Sequence, residues 1–207
     1  MKGFIVTGTD TGIGKTIFAA GVTGALGGAY WKPVQSGLED ETDTQAVERL
    51  TAGRDVAIIP EAYRLVTPCS PHEAARIDGV TIDLARLTLP ETDRPLVVEG
   101  AGGALVPYTD DMLAAEIFAQ WGLPVIVVAR TMLGTISHTL MTLEVLRARG
   151  VTVAGVAFVG EEEPVAQKAI ARLGGAPVLG RLPFLDPLDA DTLAEAFAAN
   201  VDLGKLA

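Results

Sequence analysis

Phe4-Ile5-Val6-Thr7-Gly8-Thr9-Asp10-Thr11-Gly12-Ile13-Gly14-Lys15-Thr16 is the stretch on which the reading of the fold turns. Phe4 to Val6 is a short apolar run that reads as a buried strand, and helical spacing begins at Lys15 and continues to Leu26. A glycine-rich loop joins the two, which is the context a phosphate-binding loop requires. Glycines let backbone N–H groups turn inward around phosphate oxygens, and the helix start adds a partial positive charge. Lys15 is placed to meet β- and γ-phosphates, and the Thr16 hydroxyl to meet Mg²⁺. The strict pattern asks for glycine five positions before Gly14. Thr9 stands there, with Gly8 one residue earlier, so the loop is a variant. The plain alternative is a glycine turn between strand and helix, and the coincidence of Gly-Lys-Thr with strand–turn–helix context counts against it.

Outward from this loop the pattern repeats. Leu96–Val98, Val125–Val128 and Val153–Val159 are further apolar runs rich in β-branched residues, with Ala29–Val34 and Pro177–Leu179 as weaker strands. Helical spacing covers Thr42–Leu50, Met112–Trp121, Thr135–Arg149, Val165–Leu173 and Ala190–Ala199. Ala52–Leu89 is less regular and reads as loops and short helices. Strands alternating with helices predict an α/β fold: a single P-loop NTPase-like domain over 1–207, with a parallel sheet and helices on both faces. Ligands in such folds gather at the carboxyl ends of the strands.

Composition bounds the function. Of 207 residues, 49% are hydrophobic and 20% charged, which excludes a disordered chain. Mean hydropathy is +0.35, yet the longest uncharged stretches, Thr16–Trp31 and Ile117–Ala129, are broken by glycines or by Gln120, Gly122 and Pro124. Neither reaches the ~18–20 apolar residues of a membrane span, and the first residues lack a signal-peptide cleavage site. A single cysteine, Cys69, and two distant histidines, His72 and His138, leave no disulfide and no zinc site of His and Cys. A cytoplasmic location is expected, without a membrane partner. The net charge of −10 argues against nucleic acid.

Further segments carry possible chemistry, each beside a plainer reading. Lys32, in Lys32-Pro33-Val34-Gln35-Ser36-Gly37, is either a cation at a strand end facing an anion or a solvated lysine before a turn. Asp43, closing the acidic run Glu39 to Asp43, is a Mg²⁺ ligand or part of a solvated helix cap. Glu99 closes an apolar strand and precedes Gly100-Ala101-Gly102-Gly103, as a Walker B carboxylate would, or simply precedes a glycine turn. Gly134-Thr135-Ile136-Ser137-His138 begins a helix whose free N–H groups suit an anion, or it is a plain helix start capped by Thr135. His72 has no nearby carboxylate and reads as structural or interfacial. A guanine-reading Asn-Lys-x-Asp motif is excluded, because the chain's one asparagine is Asn200. A partitioning-type ATPase would carry lysine where Asp10 stands.

Taken together, Gly8-Thr9-Asp10-Thr11 leading to Gly14-Lys15-Thr16, Lys32 to Gly37, Ser70-Pro71-His72, Glu99 to Gly103, Leu133-Gly134 with Ser137-His138, and Gly180-Arg181-Leu182-Pro183-Phe184-Leu185 resemble the dethiobiotin synthetase family. The resemblance runs in order to about residue 185. It implies an ATP-dependent ligase of biotin biosynthesis that forms dethiobiotin from 7,8-diaminononanoate, CO₂ and ATP through a carbamate and a carbamic–phosphoric anhydride. It implies catalytic roles for Lys15, Lys32 and Thr11, and Mg²⁺ held by Thr16, Asp43 and Glu99. Nucleotide contacts fall on Gly12, Ile13, Gly14, Lys15, Thr16, Ile17, Asp43, Glu99, Gly100, Ala101, Gly102, Pro183, Phe184 and Leu185. Substrate contacts fall on Thr9, Ser36, Gly102, Gly103, Gly134, Thr135 and Ser137. A homodimer with the active site at its interface is also implied, the Gly134–Ser137 segment of one copy serving the other's substrate carboxylate.

Two rivals stand beside this reading. A cobyrinate amidotransferase would need a glutaminase half with a cysteine nucleophile, and a nucleotide-dependent switch would fit Asp10 poorly. Two departures from the family pattern also bear on function. Many members carry an acidic residue where Gly12 stands, and many read adenine with an Asn-Asp pair where this chain has Val159-Gly160. Base recognition is left to backbone groups around Val159–Glu161 and Pro183–Leu185. Discrimination among nucleoside triphosphates is therefore expected to be weak. Competition of CTP and GTP against ATP in steady-state turnover should give preferences below roughly 10³-fold, about 4 kcal/mol.

Overall fold

The computed structural model describes residues 3–206. The domain expected over 1–207 thus includes Met1, Lys2 and Ala207, which lie outside the described residues, as does the start of the segment read for a signal peptide. The strands are β1 (Gly3–Gly8), β2 (Ala29–Trp31), β3 (Val34–Ser36), β4 (Ala57–Ile59), β5 (Tyr63–Leu65), β6 (Leu96–Gly103), β7 (Pro107–Thr109), β8 (Met112–Leu113), β9 (Val125–Arg130), β10 (Val153–Val159) and β11 (Val178–Leu182). The α-helices are α1 (Lys15–Leu26), α2 (Asp43–Leu50), α3 (Pro71–Asp78), α4 (Ala114–Trp121), α5 (Thr135–Ala148), α6 (Pro164–Gly174) and α7 (Ala190–Asn200).

Seven strands form one sheet in the order β11-β10-β9-β1-β6-β2-β4. Every pairing in it is parallel, so crossover helices must cover its faces. Alternation along β1 divides the core. Phe4 and Val6 join Val97, Ile126 and Val128 under α1, α2 and α7, while Ile5 joins Val98, Val125 and Val127 under α3 to α6. Runs such as Val125–Ala129 lack polar alternation because both of their faces are buried. The α/β class with a parallel sheet and helices on both faces is as expected.

Three local expectations are corrected. Ala29–Val34 is not one strand: Lys32-Pro33 interrupts it, Ala29–Trp31 stays in the main sheet, and Val34–Ser36 pairs with β5 in a separate two-stranded ribbon. Proline has no N–H to continue a ladder, so the chain leaves the sheet there. Ala52–Leu89 holds more than loops and short helices, since it supplies the edge strand β4 and the ribbon strand β5. The stretch Met112–Trp121 is helical only from Ala114; Met112 and Leu113 pair antiparallel with β7.

Candidate active site

In a parallel sheet the strand ends on one edge share a crevice, and the helix starts that follow them face it. Glu99 lies opposite Val6 in β6. Side-chain alternation places it on the same side as Val97, toward α1. Lys32 directly follows β2 and alternates in the same way with Tyr30. Thr16 stands in the first turn of α1. Asp43 opens α2, whose start is fixed by a capping box between Thr42 and Gln45. The Asp43 N–H also donates to Gln35 Oε1 at 3.2 Å. Four elements distant in sequence thus converge on one point.

The Lys32 ammonium is at the centre. It lies 2.6 Å from Asp43 Oδ2 and 3.2 Å from Glu99 Oε1, and donates to the Gly100 carbonyl at 3.3 Å. Its three N–H donors therefore meet three acceptors. Lys32 and Glu99 are buried, at 4% and 1% exposure. Burial alone would lower the lysine pKa, but Glu99 and Asp43 outweigh it and hold the ammonium above its ordinary value. Burial pushes the Glu99 carboxyl up despite Lys32. Burial acts likewise on Asp43, where the Lys32 charge and hydrogen bonds from Lys32 and Thr16 prevail and hold it below its ordinary value.

The Thr16 hydroxyl lies 2.9 Å from Asp43 Oδ1 and 2.9 Å from Glu99 Oε1. One hydroxyl proton cannot serve both carboxylates. Three hard oxygens thus converge with a single proton among them, a donor set suited to Mg²⁺, which uses one or two carboxylates and completes its shell with phosphate and water. Among the described residues no group of three or more His, Cys, Asp or Glu is placed to hold a metal ion by itself.

The phosphate loop is shaped by Gly12 and Gly14, at φ +68° and +92°. Gly14 also touches β10: a Cβ there would sit 2.7 Å from Val159 Cγ1. Lys15 is buried and donates to the Asp10 carbonyl at 2.7 Å. Burial lowers its pKa below the ordinary value. The Asp10 carboxylate accepts from Thr11 N–H at 2.8 Å and faces Arg130 at 3.6 Å.

Thr11, Gly12, Ile13, Gly14, Lys15, Thr16, Ile17, Lys32, Ser36, Asp43, Glu99, Ala101 and Gly102 line one cavity of about 770 Å³. Gly100 reaches it through its carbonyl on Lys32. Thr9 and Gly103 line a second cavity of about 570 Å³ with Leu105, His138, Met141 and Val145, and Thr11 and Val106 line both. Pro183, Phe184, Leu185, Gly134, Thr135 and Ser137 line neither. Phe184 is 70% exposed. Gly134, not Thr135, occupies the N-cap of α5, in a left-handed conformation. The Thr135 hydroxyl is engaged by the Arg130 carbonyl at 2.5 Å. His72 Nδ1 hydrogen bonds with Ser70 Oγ at 3.0 Å.

Sequence reasoning passed over three residues that shape the site. Gln35 holds the start of α2. The Tyr108 hydroxyl accepts from Ala101 N–H at 3.0 Å and so fixes the glycine-rich end of β6, which does not close at Glu99 as expected but runs on to Gly103. The Tyr30 hydroxyl donates to Glu99 Oε2 at 2.8 Å. The available signal was tyrosine standing where phenylalanine would fill an apolar strand equally well.

The ion triad makes a signed prediction. Asp43, held low, contributes stability above its ordinary value of 3.8 that is lost as pH falls through its folded value. Lys32, held high, contributes below 10.5 and loses that contribution as pH rises through its folded value. Glu99 runs the other way, its ionisation costing stability above 4.5. Lys32→Met leaves two carboxylates without their cation and should destabilise the fold by roughly 3–5 kcal/mol near pH 7.5. Urea unfolding at falling pH should show that penalty shrinking as Glu99 takes up a proton.

Comparison with known proteins bears on this geometry. A family model described as an AAA domain matches residues 2–192. The ATP-dependent dethiobiotin synthetase BioD of Rhodopseudomonas palustris (strain HaA2) is 59% identical over 199 residues, covering 96% of this chain and 93% of the relative. The protein of the same name from Novosphingobium aromaticivorans is 59% identical over 198 residues, covering 96% of each chain. Among solved structures, the cell division ATPase MinD of Pyrococcus furiosus is similar at TM-score 0.58 and 15% identity over 100% of both chains. The Pyrococcus horikoshii MinD complexed with Mg-ADP is similar at TM-score 0.55 and 17% identity, covering 95% of this chain and 86% of that one. At such identities the structures share the fold alone. The close relatives decide the matter: this chain belongs to the ATP-dependent dethiobiotin synthetase family.

Proposed function

We propose that this chain closes the ureido ring of dethiobiotin from 7,8-diaminononanoate, CO₂ and ATP, releasing ADP and phosphate, as a ligase of biotin biosynthesis. The observation that carries the reading is the Lys32 ammonium, fixed by Asp43 and Glu99 on the wall of the cavity that the phosphate loop also lines. One amine of the diamine adds to CO₂, forming a C–N bond and losing a proton to give a carbamate. A carbamate oxygen attacks the γ-phosphorus and ADP departs. The second amine then attacks the carbonyl carbon, loses a proton and expels phosphate.

Such chemistry asks for positioning and charge neutralisation. The amides of Gly12 to Thr16 take the phosphates, and Ile17 flanks them. Lys15 leaves the Asp10 carbonyl to meet the same oxygens, while Lys32 faces the carbamate and the transferring group. Thr11 and Ser36 contact that group from the cavity wall. Thr16, Asp43 and Glu99 would hold Mg²⁺, which when bound would supply charge neutralisation for the phosphates. Thr9, Gly102 and Gly103 border the substrate, whose alkyl chain suits the second cavity beside Leu105, Met141 and Val145.

The homodimer belongs to the same proposal. Leu105, Met132, Leu133 and Met141 are 49%, 66%, 102% and 52% exposed, and a second copy would cover this apolar surface around α5. The partner's α5 start, Gly134 to Ser137, then meets the substrate carboxylate. The proposal for the base keeps Pro183–Leu185 beside Val159–Glu161. Gly160 N–H already donates to the Leu182 carbonyl at 3.0 Å, and its own carbonyl accepts from Arg181 at 2.8 Å. Phe184 is left to offer a ring face, which supports weak base selectivity. No helix among the described residues is long and apolar enough to cross a membrane. The lone free cysteine, Cys69, suits a reducing cytoplasm.

The test is phosphate release from Mg-ATP and bicarbonate with and without 7,8-diaminononanoate, with products read by mass. Diamine-dependent release and stoichiometric dethiobiotin are expected. Diamine-indifferent release without a ring product overturns the reading in favour of a nucleotide switch. Ser137→Asp adds a negative charge at the α5 start and should raise the diamine KM by roughly tenfold, about 1.4 kcal/mol. An unchanged KM removes that segment from the substrate site.

A further inference from the structure

Tyr30 is the middle residue of β2 and is fully buried. It belongs to the core layer that includes Phe4, Val6, Phe18, Val47 and Val97. A phenylalanine would fill that volume without bringing a polar atom into it. The Tyr30 hydroxyl makes one hydrogen bond among the described residues, to Glu99 Oε2 at 2.8 Å. Glu99 Oε1 is the oxygen turned to Thr16, at 2.9 Å, and to Lys32, at 3.2 Å. The two oxygens of one carboxylate are thus assigned to opposite sides.

That division has a physical consequence. Lys32 is a strong competing donor with carboxylates on two sides. A buried Glu99 lacking a partner for Oε2 would lower its energy by rotating both oxygens toward the ammonium, since an unpaired buried carboxylate oxygen is costly. Rotation would withdraw Oε1 from Thr16 and spoil the three-oxygen convergence. We infer that Tyr30 is a positioning residue for the nucleotide-bound metal, its hydroxyl pinning Glu99 Oε2 so that Oε1 stays presented beside Thr16 and Asp43. The inference rests on the proposed Mg²⁺ role of Glu99. Nothing else about Tyr30 is polar, so the assignment concerns its hydroxyl alone.

The test uses Mn²⁺ as the probe, with binding in the presence of ADP followed by electron paramagnetic resonance and turnover measured alongside. Four proteins are compared: wild type, Tyr30→Phe, Tyr30→4-aminophenylalanine and Glu99→Gln. Tyr30→Phe keeps the ring and removes only the donor. It should weaken Mn²⁺ binding by roughly 10–100-fold and lower kcat, with the diamine KM held. The 4-amino variant restores a donor and should recover Mn²⁺ affinity to within about threefold of wild type. A Tyr30→Phe protein that binds Mn²⁺ within about twofold of wild type overturns the inference while leaving the metal site standing, provided Glu99→Gln binds weakly. If Glu99→Gln also binds Mn²⁺ as wild type does, Glu99 is not a ligand and both readings fall. Failure of the 4-amino variant to recover affinity overturns the inference as well, because the ring and not its donor would then be what matters.

Discussion

A single ammonium group organises this molecule's chemistry. Lys32 is buried between Asp43 and Glu99 and is tied to the Gly100 carbonyl. Its three partners come from the start of α2 and from two successive residues of β6. Burying charge is costly, and well-packed apolar residues of the same volume often serve stability equally well. The cluster therefore makes little sense as a stabilising device. Under the proposed function it is a preorganised charge, set in advance where negative charge would accumulate, so that little reorganisation is needed at the moment of transfer.

The parallel sheet is what allows distant segments to meet. β1, β2 and β6 are neighbours or near neighbours in the sheet although β6 lies far along the chain. Their register brings Gly8, Lys32 and Glu99 to one edge, and α1 and α2 present Thr16 and Asp43 to the same place. The cell division ATPases share this scaffold at low identity. What distinguishes the present chain is what stands on it: Asp10 where a partitioning ATPase would have lysine, and a lysine at the end of β2.

The phosphate loop was legible because its physics is local: an apolar strand, glycines at left-handed positions and a helix start follow one another directly. Lys32 and Asp43 were ambiguous in isolation because nothing near them in sequence shows that they meet Glu99. The resemblance put Asp43 and Glu99 on one Mg²⁺ and Lys32 on the γ-phosphate and carbamate, and the pairing of Lys32 with both carboxylates emerges only from the structure. The break at Lys32-Pro33 was missed because Ala29–Val34 is apolar enough to read as a single strand. β4 and β5 were missed because strands of three residues leave little periodicity to detect. Tyr30 was invisible for the same reason as the triad: its partner lies 69 positions away.

The same proline break that divides β2 from β3 makes Lys32 a hinge pin between two sheets. On one side Trp31 is laddered to β6, and on the other Val34 is laddered to β5. Only Lys32 and Pro33 separate the two ladders. Loop length is therefore not free to drift here as it is in the exposed acidic stretch Glu39–Glu41. A residue inserted between Trp31 and Lys32 would shift the ammonium along the strand direction by about 3.3 Å and turn it to the opposite face. The acidic loop can therefore be lengthened without moving the ammonium, whereas the two-residue joint cannot.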